Sequence, residues 1–113
     1  MKTIETAELK TLVSGNQAVI AEALPARYFE QGHLPKAINI PLDATDEMIM
    51  RALADASKTV VTYCTGFTCP NSRKLAVRLE LLGFKDVRAY EGGKEAWTQS
   101  GLHLEASSQQ VSK

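Results

Sequence analysis

Long apolar runs and an excess of charge of either sign are both missing from this sequence. No stretch approaches the roughly 20 consecutive apolar residues that a membrane-spanning helix needs, and 13 basic residues are balanced by 13 acidic ones. A neutral chain presents no basic field that would hold nucleic acid or an anionic membrane. We therefore expect neither a membrane nor nucleic acid among its partners. Hydrophobic and charged contents of 44% and 23% are ordinary for a globular protein.

Cysteine is also scarce, since Cys64 and Cys69 are the only two. The chain begins with Met1 to Thr6, and Glu5 stands where a secretory signal would need its apolar core. We therefore expect a cytoplasmic protein. In that reducing compartment we do not expect the two thiols to form a structural disulfide, and two thiols alone do not complete a structural zinc site. We expect no metal and no cofactor, so the cysteines are either buried small side chains or reactive groups.

Short apolar segments alternate with helical patterns along the chain. The predicted strands are the β-branched or apolar segments at 18–21, 37–40, 59–63 and 87–90. The predicted helices lie at 7–13, 26–30, from about 46 to 57, from 70 to 82 and at 94–100. Thr6 is the predicted N-cap of the first helix, and Asp43 or Thr45 that of the third. This alternation predicts an α/β fold of three layers, a central parallel sheet with helices on both faces.

The pattern shows no internal repeat and no linker. We expect one domain, residues 1–105, in a protein that is a monomer or a weak dimer. The end of the chain, from Glu105, is rich in Ser and Gln and lacks apolar periodicity. We therefore predict a flexible tail at 106–113, with fraying from Glu105 onward.

Cys64 stands where chemistry is expected in a parallel sheet. It directly follows the predicted strand 59–63, and ligands bind beyond the carboxyl ends of such strands. The loop from Cys64 to Ser72 contains Gly66, which allows the backbone to curl, and Pro70 then opens a helix. The backbone N–H groups and partial positive charge of a helix N-terminus stabilise a thiolate or a bound anion. We predict a reactive Cys64 whose pKa lies below that of a free cysteine.

The sequence resembles the rhodanese-like family from about Thr6 to Leu104. The segments that carry the resemblance are Tyr28 to Pro41 (YFEQGHLPKAINIP), Val60 to Cys64 (VVTYC), Leu82 to Val87 (LGFKDV) and Tyr90 to Trp97 (YEGGKEAW). Their order and spacing match the family throughout. The resemblance implies an α/β domain whose catalytic cysteine becomes a persulfide and passes the outer sulfur to an acceptor. Cys64 falls on that cysteine, which implies a sulfurtransferase whose partners are a small sulfur donor or a persulfidated protein or thiol.

Two departures from the family concern charge. Where typical members have an Asp-Val-Arg motif, this chain has Glu22-Ala23-Leu24, so an apolar residue replaces the arginine. In the active-site loop Cys69 replaces a basic residue, and Ser72 lies about two positions later than the family pattern places its serine. The loop is therefore wider and less cationic, so a thiosulfate dianion meets fewer formal charges.

The candidate site residues follow from this loop. Besides Cys64, the loop contributes Thr65, Gly66, Phe67, Thr68 and Cys69, and Ser72 and Arg73 are candidate anion contacts. Phe67 either forms an exposed apolar lip or packs back onto the domain. His33 is expected to be structural, hydrogen-bonded between two loops, and Trp97 to be part of the core.

Three hypotheses remain open at this point. The first is sulfur transfer to a thiol or cyanide through a Cys64 persulfide. The second is a thiol reductase or redox sensor in which Cys64 and Cys69 alternate between dithiol and disulfide. The third is a non-catalytic docking module that depends on Phe67. A phosphatase or arsenate reductase requires an arginine a few residues after the cysteine, and Arg73 is too far along.

Overall fold

The computed structural model describes residues 1–106, and in this range five parallel strands form one sheet. The strands are β1 (Lys2–Thr3), β2 (Val19–Glu22), β3 (Ile38–Asn39), β4 (Thr59–Tyr63) and β5 (Asp86–Tyr90). The helices are α1 (Thr6–Ser14), α2 (Ala26–Gln31), α3 (Asp46–Ala52), α4 (Asn71–Leu81) and α5 (Gly93–Gln99). The order across the sheet is β1-β5-β4-β2-β3. The predicted α/β fold with a central parallel sheet is confirmed.

Strand β4 is the centre of the sheet, hydrogen-bonded to β2 on one side and β5 on the other. Its side chains alternate between the two faces, as the period of a strand requires. Val60 packs with α3 and α4, whereas Val61 and Tyr63 pack with α1 and α5. Burial on both faces explains why this segment is the most β-branched in the sequence.

Three details of the fold differ from the sequence prediction. Strand β1 was not predicted, because two exposed residues carry no periodic signal. Thr6 is not the N-cap of α1: Glu5 holds that position, and the Thr6 hydroxyl instead hydrogen-bonds with the Tyr90 hydroxyl. For α3 the alternatives resolve to Thr45, whose Oγ1 accepts a hydrogen bond from the N–H of Met48. The predicted third helix is too long: α3 ends at Ala52, and Asp55 accepts hydrogen bonds from the N–H and hydroxyl of Ser57 in the turn that follows. The other predicted elements are confirmed to within one residue at their ends.

Ordered backbone pairing at the C-terminal end of the domain extends to Glu105, where the sequence predicted fraying. Glu105 exchanges both backbone hydrogen bonds with His33, at 2.7 and 2.8 Å. Residue 105 is therefore paired and does not fray, while positions 107–113 of the predicted tail lie outside the described residues. His33 is structural, as predicted, but its side chain does not join two loops: its Nδ1 lies 2.8 Å from the carbonyl of Phe29 in α2, and its ring stacks on that of Phe29. Trp97 is buried, as predicted. No helix among residues 1–106 is long and apolar enough to cross a bilayer.

A buried carboxylate joins three elements beside the carboxyl end of the sheet. Glu22, fully buried at the end of β2, accepts a 2.6 Å hydrogen bond from the Tyr63 hydroxyl. Burial and the charge of Glu22 raise the pKa of Tyr63, so the phenol keeps its proton and donates. The Lys94 ammonium lies 3.1 Å from the other oxygen of Glu22, in an ionic contact rather than an aligned hydrogen bond. Lys94 also donates to the Tyr28 carbonyl at 3.0 Å.

The Glu22–Lys94 pair generates a stability prediction. Lys94→Met removes the cation from a buried carboxylate, and breaking a buried pair in this way costs about 3–5 kcal/mol of unfolding free energy. Urea unfolding followed by circular dichroism measures the loss. Lys10→Met, at an exposed position of α1, is the matched control and should change little. The double variant Glu22→Gln with Lys94→Met should recover most of the loss, and equal losses in the single and double variants would contradict the explanation.

Candidate functional site

Cys64 is fully buried immediately beyond the end of β4. The strand end is fixed on its β2 side because the N–H of Ala23 donates to the Tyr63 carbonyl at 2.8 Å. The Cys64 thiol donates to the Cys69 carbonyl across the loop at 3.2 Å. A tight turn, in which the Cys69 N–H donates to the Gly66 carbonyl at 3.1 Å, brings residue 69 back toward the strand. The two cysteines that the sequence singled out therefore lie close together.

The start of α4 is anchored to the same strand ends. The Thr62 hydroxyl donates to the Ser72 carbonyl at 2.7 Å, and the Asn71 side-chain amide donates to the Ala23 carbonyl at 2.8 Å. The first N–H groups of a helix have no partner within the helix. In α4 those of Asn71 and Ser72 face the loop. The helix N-terminus therefore presents donors to the cysteines, as the sequence predicted.

The donors are divided between the two sulfur atoms. The Ser72 backbone acts to lower the pKa of Cys64, whereas the Asn71 backbone acts to lower that of Cys69. The backbone and hydroxyl of Thr65 also act to lower the pKa of Cys69. The Ser72 hydroxyl is buried, lies beside the Cys64 thiol, and makes no aligned hydrogen bond within the described residues. A polar group left free in this position suits a larger occupant than a bare thiol.

The protonation of Cys64 differs from the sequence prediction. Burial, reinforced by the neighbouring Cys69 side chain, raises the pKa of Cys64 to about 11, against the opposing effect of the Ser72 donors. The predicted lowering is therefore wrong. Sequence reasoning identified the helix N-terminus but not the complete burial of the sulfur, which penalises the charged form.

Cys69 is the more acidic of the two thiols. Its partial burial acts to raise its pKa, but the neighbouring Cys64 thiol and the polar groups of Asn71 and Thr65 outweigh burial and lower it. Cys69 is also half-exposed, whereas Cys64 is not exposed at all. The stabilisation predicted for a Cys64 thiolate is thus found at Cys69.

Helix α5 clamps the other side of the loop. The N–H groups of Lys94 and Glu95 donate to the carbonyls of Cys64 and Thr65 at 3.1 and 2.9 Å. This close approach requires glycine at position 93, where φ is +58° and a Cβ would lie 2.4 Å from the Cys64 carbonyl oxygen. Gly66 does not have a left-handed backbone, and a Cβ there would meet only the end of the exposed Glu95 side chain, which can move aside.

Two cations beside the loop, Arg73 and Lys94, are each paired with a carboxylate. Arg73, a predicted anion contact, is more than half exposed and its Nε lies 3.5 Å from a Glu91 carboxylate oxygen. Lys94 is engaged by Glu22, as described above. The Glu95 carboxylate lies beside Gly66. Of the two predicted anion contacts, Ser72 adjoins the Cys64 sulfur and Arg73 pairs with a carboxylate.

The rest of the loop is open to solvent. Thr65, Phe67 and Thr68 are exposed, and the Phe67 side chain retains 72% of its accessible surface. Phe67 is therefore the exposed lip of the two alternatives, with its ring edge against Gly92. Residues 1–106 contain no cluster of three or more metal-ligating side chains.

Sequence reasoning missed two contributors to this site, Lys94 and Gly93. Both lie in the segment YEGGKEAW, which carried the family resemblance. The sequence therefore identified the segment, but not the ion pair of Lys94 or the close backbone contact of Gly93. A lysine and a glycine at a helix start give no signal of a buried ion pair or of a backbone contact 29 positions away. Only the packing of α5 against the loop reveals these roles.

The order in which the two thiols ionise can be measured. We expect the ultraviolet absorbance of thiolate, followed against pH, to rise in two steps with Cys69 first. Cys69→Ala removes the neighbour that raises the pKa of Cys64, so the remaining step should move to lower pH. Cys64→Ala removes the neighbouring thiol that lowers the pKa of Cys69, so the Cys69 step should move to higher pH. Steps unchanged in both variants would contradict the coupling.

Comparisons with known proteins agree with this geometry. The family model of the rhodanese-like domain matches residues 5–100. A thiosulfate sulfurtransferase, GlpE, of Coxiella burnetii is 30% identical over 96 residues, which cover 85% of this chain and 86% of the relative. An HTH-type transcriptional regulator of Mycobacterium tuberculosis is 26% identical over 90% of this chain, but the chain spans only 44% of that relative.

The fold agrees equally well with a solved structure. The crystal structure of a Bacillus halodurans protein superposes with a TM-score of 0.86 and 26% sequence identity, covering 94% of this chain and 77% of the other. From α1 to α5, this chain belongs to the rhodanese-like family.

Proposed function

We propose that the protein is a sulfurtransferase in which Cys64 carries sulfane sulfur as a persulfide. The observation that carries the proposal is the buried Cys64 beside the start of α4, with the Ser72 N–H and an unengaged Ser72 hydroxyl next to its sulfur. A second sulfur on Cys64 would supply the acceptor that this hydroxyl lacks. The relative named thiosulfate sulfurtransferase supports the same reaction class.

The reaction has two displacements. The Cys64 thiolate attacks the outer sulfur of a donor, the bond from that sulfur to the rest of the donor breaks, and the donor leaves as sulfite or as a thiolate. An acceptor thiol or cyanide then attacks the outer sulfur of the persulfide, and the Cys64 thiolate leaves. The Ser72 N–H and hydroxyl stabilise negative charge on sulfur in both steps. The raised pKa of Cys64 makes the first step faster as the pH rises toward 11.

The charges around the loop favour a persulfide over thiosulfate as the donor. Thiosulfate is a dianion, and Arg73 and Lys94 are both engaged by carboxylates. A small-molecule persulfide, or a persulfide on another protein, brings less charge to a site that lacks the family's basic residue. Since Cys64 is fully buried, the exposed part of the loop has to shift for any donor to reach the sulfur. The reducing conditions of the cytoplasm suit such a free-thiol site.

Intact-protein mass spectrometry tests the proposal. Reduced protein is exposed to glutathione persulfide or to thiosulfate, and we expect a gain of one sulfur mass that a thiol acceptor or cyanide removes. Cys64→Ser should abolish the gain, while Cys69→Ser should retain it, so the two variants form a matched pair. We expect glutathione persulfide to load the protein faster than thiosulfate. Full sulfur transfer by Cys64→Ser would overturn the proposal.

The Ser72 hydroxyl has its own test. Ser72→Ala keeps the backbone N–H but removes the free donor, so loading and transfer should slow by roughly tenfold or more, because removing one donor from a charge-stabilising site commonly costs 10²–10³. Stopped-flow kinetics of persulfide formation and of transfer to cyanide give the two rates. Ser14→Ala, at an exposed serine of α1, is the control. Rates in Ser72→Ala equal to those of the control would remove Ser72 from the site.

A further inference from the structure

Cys69 is the feature of this site that sulfur transfer does not use. It replaces a basic residue of the family loop, and it lies half-exposed next to the carrier cysteine. The turn between Gly66 and Cys69 and the hydrogen bond from the Cys64 thiol to the Cys69 carbonyl hold residue 69 over Cys64. Polar groups of Asn71 and Thr65 near its sulfur lower the pKa of Cys69. A residue that only filled space would not collect these polar groups.

We propose that Cys69 resolves the Cys64 persulfide by attacking its inner sulfur, which releases sulfide and leaves a Cys64–Cys69 disulfide. This inference rests on the proposed function, since the persulfide must form first. The Cys69 thiolate forms a bond to Cys64 Sγ, and the bond between Cys64 Sγ and the outer sulfur breaks. The outer sulfur leaves with the bonding pair as hydrosulfide. The sulfane sulfur is reduced and the two cysteines are oxidised, so no external oxidant is needed.

The contacts of Cys69 select the inner sulfur as the target. The sulfur that Cys69 adjoins in the unloaded site is Cys64 Sγ, and this atom becomes the inner sulfur after loading. The outer sulfur would extend toward the Ser72 hydroxyl, which would stabilise it as it leaves. Attacker and leaving group thus have separate donors, Asn71 and Thr65 for one and Ser72 for the other.

The ionisation of the two thiols supports this assignment of roles. The pKa of Cys69 is lowered, so this side chain supplies the thiolate that exchange chemistry requires. Sulfide is also a better leaving group than an alkyl thiolate. Attack within one loop needs no encounter between molecules, which gives it an advantage over an external acceptor at low concentration.

The product disulfide has to be reduced before another cycle. A dithiol reductant, small or protein-borne, can attack the half-exposed Cys69 sulfur and release both cysteines as thiols. The overall reaction would then be the reduction of a persulfide to sulfide and thiol at the expense of a dithiol. A high concentration of acceptor thiol would divert the persulfide to transfer, so one site would have two outcomes.

The test follows a loaded persulfide over time. Full-length protein is loaded with glutathione persulfide under anaerobic conditions, freed of donor, and monitored by intact mass and by a fluorescent sulfide probe. The wild type should lose the added sulfur, end two hydrogen masses below the reduced protein, and release one sulfide per loaded chain. In Cys69→Ser the persulfide should persist at least about tenfold longer, because the resolving step is absent. The wild-type rate should not change on dilution of the protein.

The outcomes separate this inference from the proposed function. Loading at Cys64 followed by equally slow decay in wild type and Cys69→Ser, without sulfide, overturns the inference and leaves sulfur transfer intact. Absence of loading at Cys64 in both proteins overturns the proposed function and this step with it. Loading of Cys64→Ser at Cys69, or decay that depends on protein concentration, also overturns the assignment of Cys69 as an intramolecular resolving thiol.

Discussion

Two sulfur atoms share the N–H groups at one helix N-terminus, and the rest of the site depends on how these donors are divided. Helix α4 begins with unpaired groups at Asn71 and Ser72, and the ends of β2 and β4 hold that start in place through Thr62 and the Asn71 side chain. Ser72 acts to lower the pKa of Cys64, whereas Asn71 and Thr65 act to lower the pKa of Cys69. The buried sulfur therefore keeps its proton and the half-exposed one is readier to lose it.

Burial explains both the strength and the chemistry of this arrangement. The carboxyl end of β4 is enclosed by β2, β5 and the start of α5, so charges there need partners. The Lys94 ammonium pairs with the carboxylate of Glu22, and the Lys94 backbone N–H donates to the Cys64 carbonyl. One residue at the start of α5 thus joins the buried ion pair to the loop that follows β4. Lys94 and Arg73 are both engaged by carboxylates, so the proposed sulfur donor would be recognised by N–H and hydroxyl groups more than by net positive charge.

Membership of the rhodanese-like family establishes the fold, whereas the loop after β4 departs from the family pattern. Relatives of this fold include a named sulfurtransferase and a transcriptional regulator, so one framework serves different tasks. A thiol at a position where the family has a basic residue removes a fixed positive charge from the loop and adds a second sulfur. That replacement is what connects sulfur transfer to the release of sulfide in the proposals above.

The sequence by itself determined the alternation of strands and helices, the central place of β4 and the position of Cys64 at its end. These follow from local signals: β-branched runs, helical spacing of Leu75, Ala76 and Leu79, and glycine or proline at element ends. It also identified Cys69 as the unusual residue of the loop. The sequence did not predict β1, because two exposed residues show no periodicity. It also did not predict the N-cap of α1, because the Thr6 hydroxyl hydrogen-bonds with Tyr90, which is distant in the sequence.

Only the tertiary structure decided which cysteine is acidic. The pKa of a thiol depends on its burial and on the donors that reach it, and both come from elements far apart in the sequence. Glu22, Tyr63 and Lys94 likewise form one network only when β2, β4 and α5 pack together. Local patterns can place a reactive side chain at the end of a strand, but the energy of its charge is set by neighbours that only the folded chain assembles.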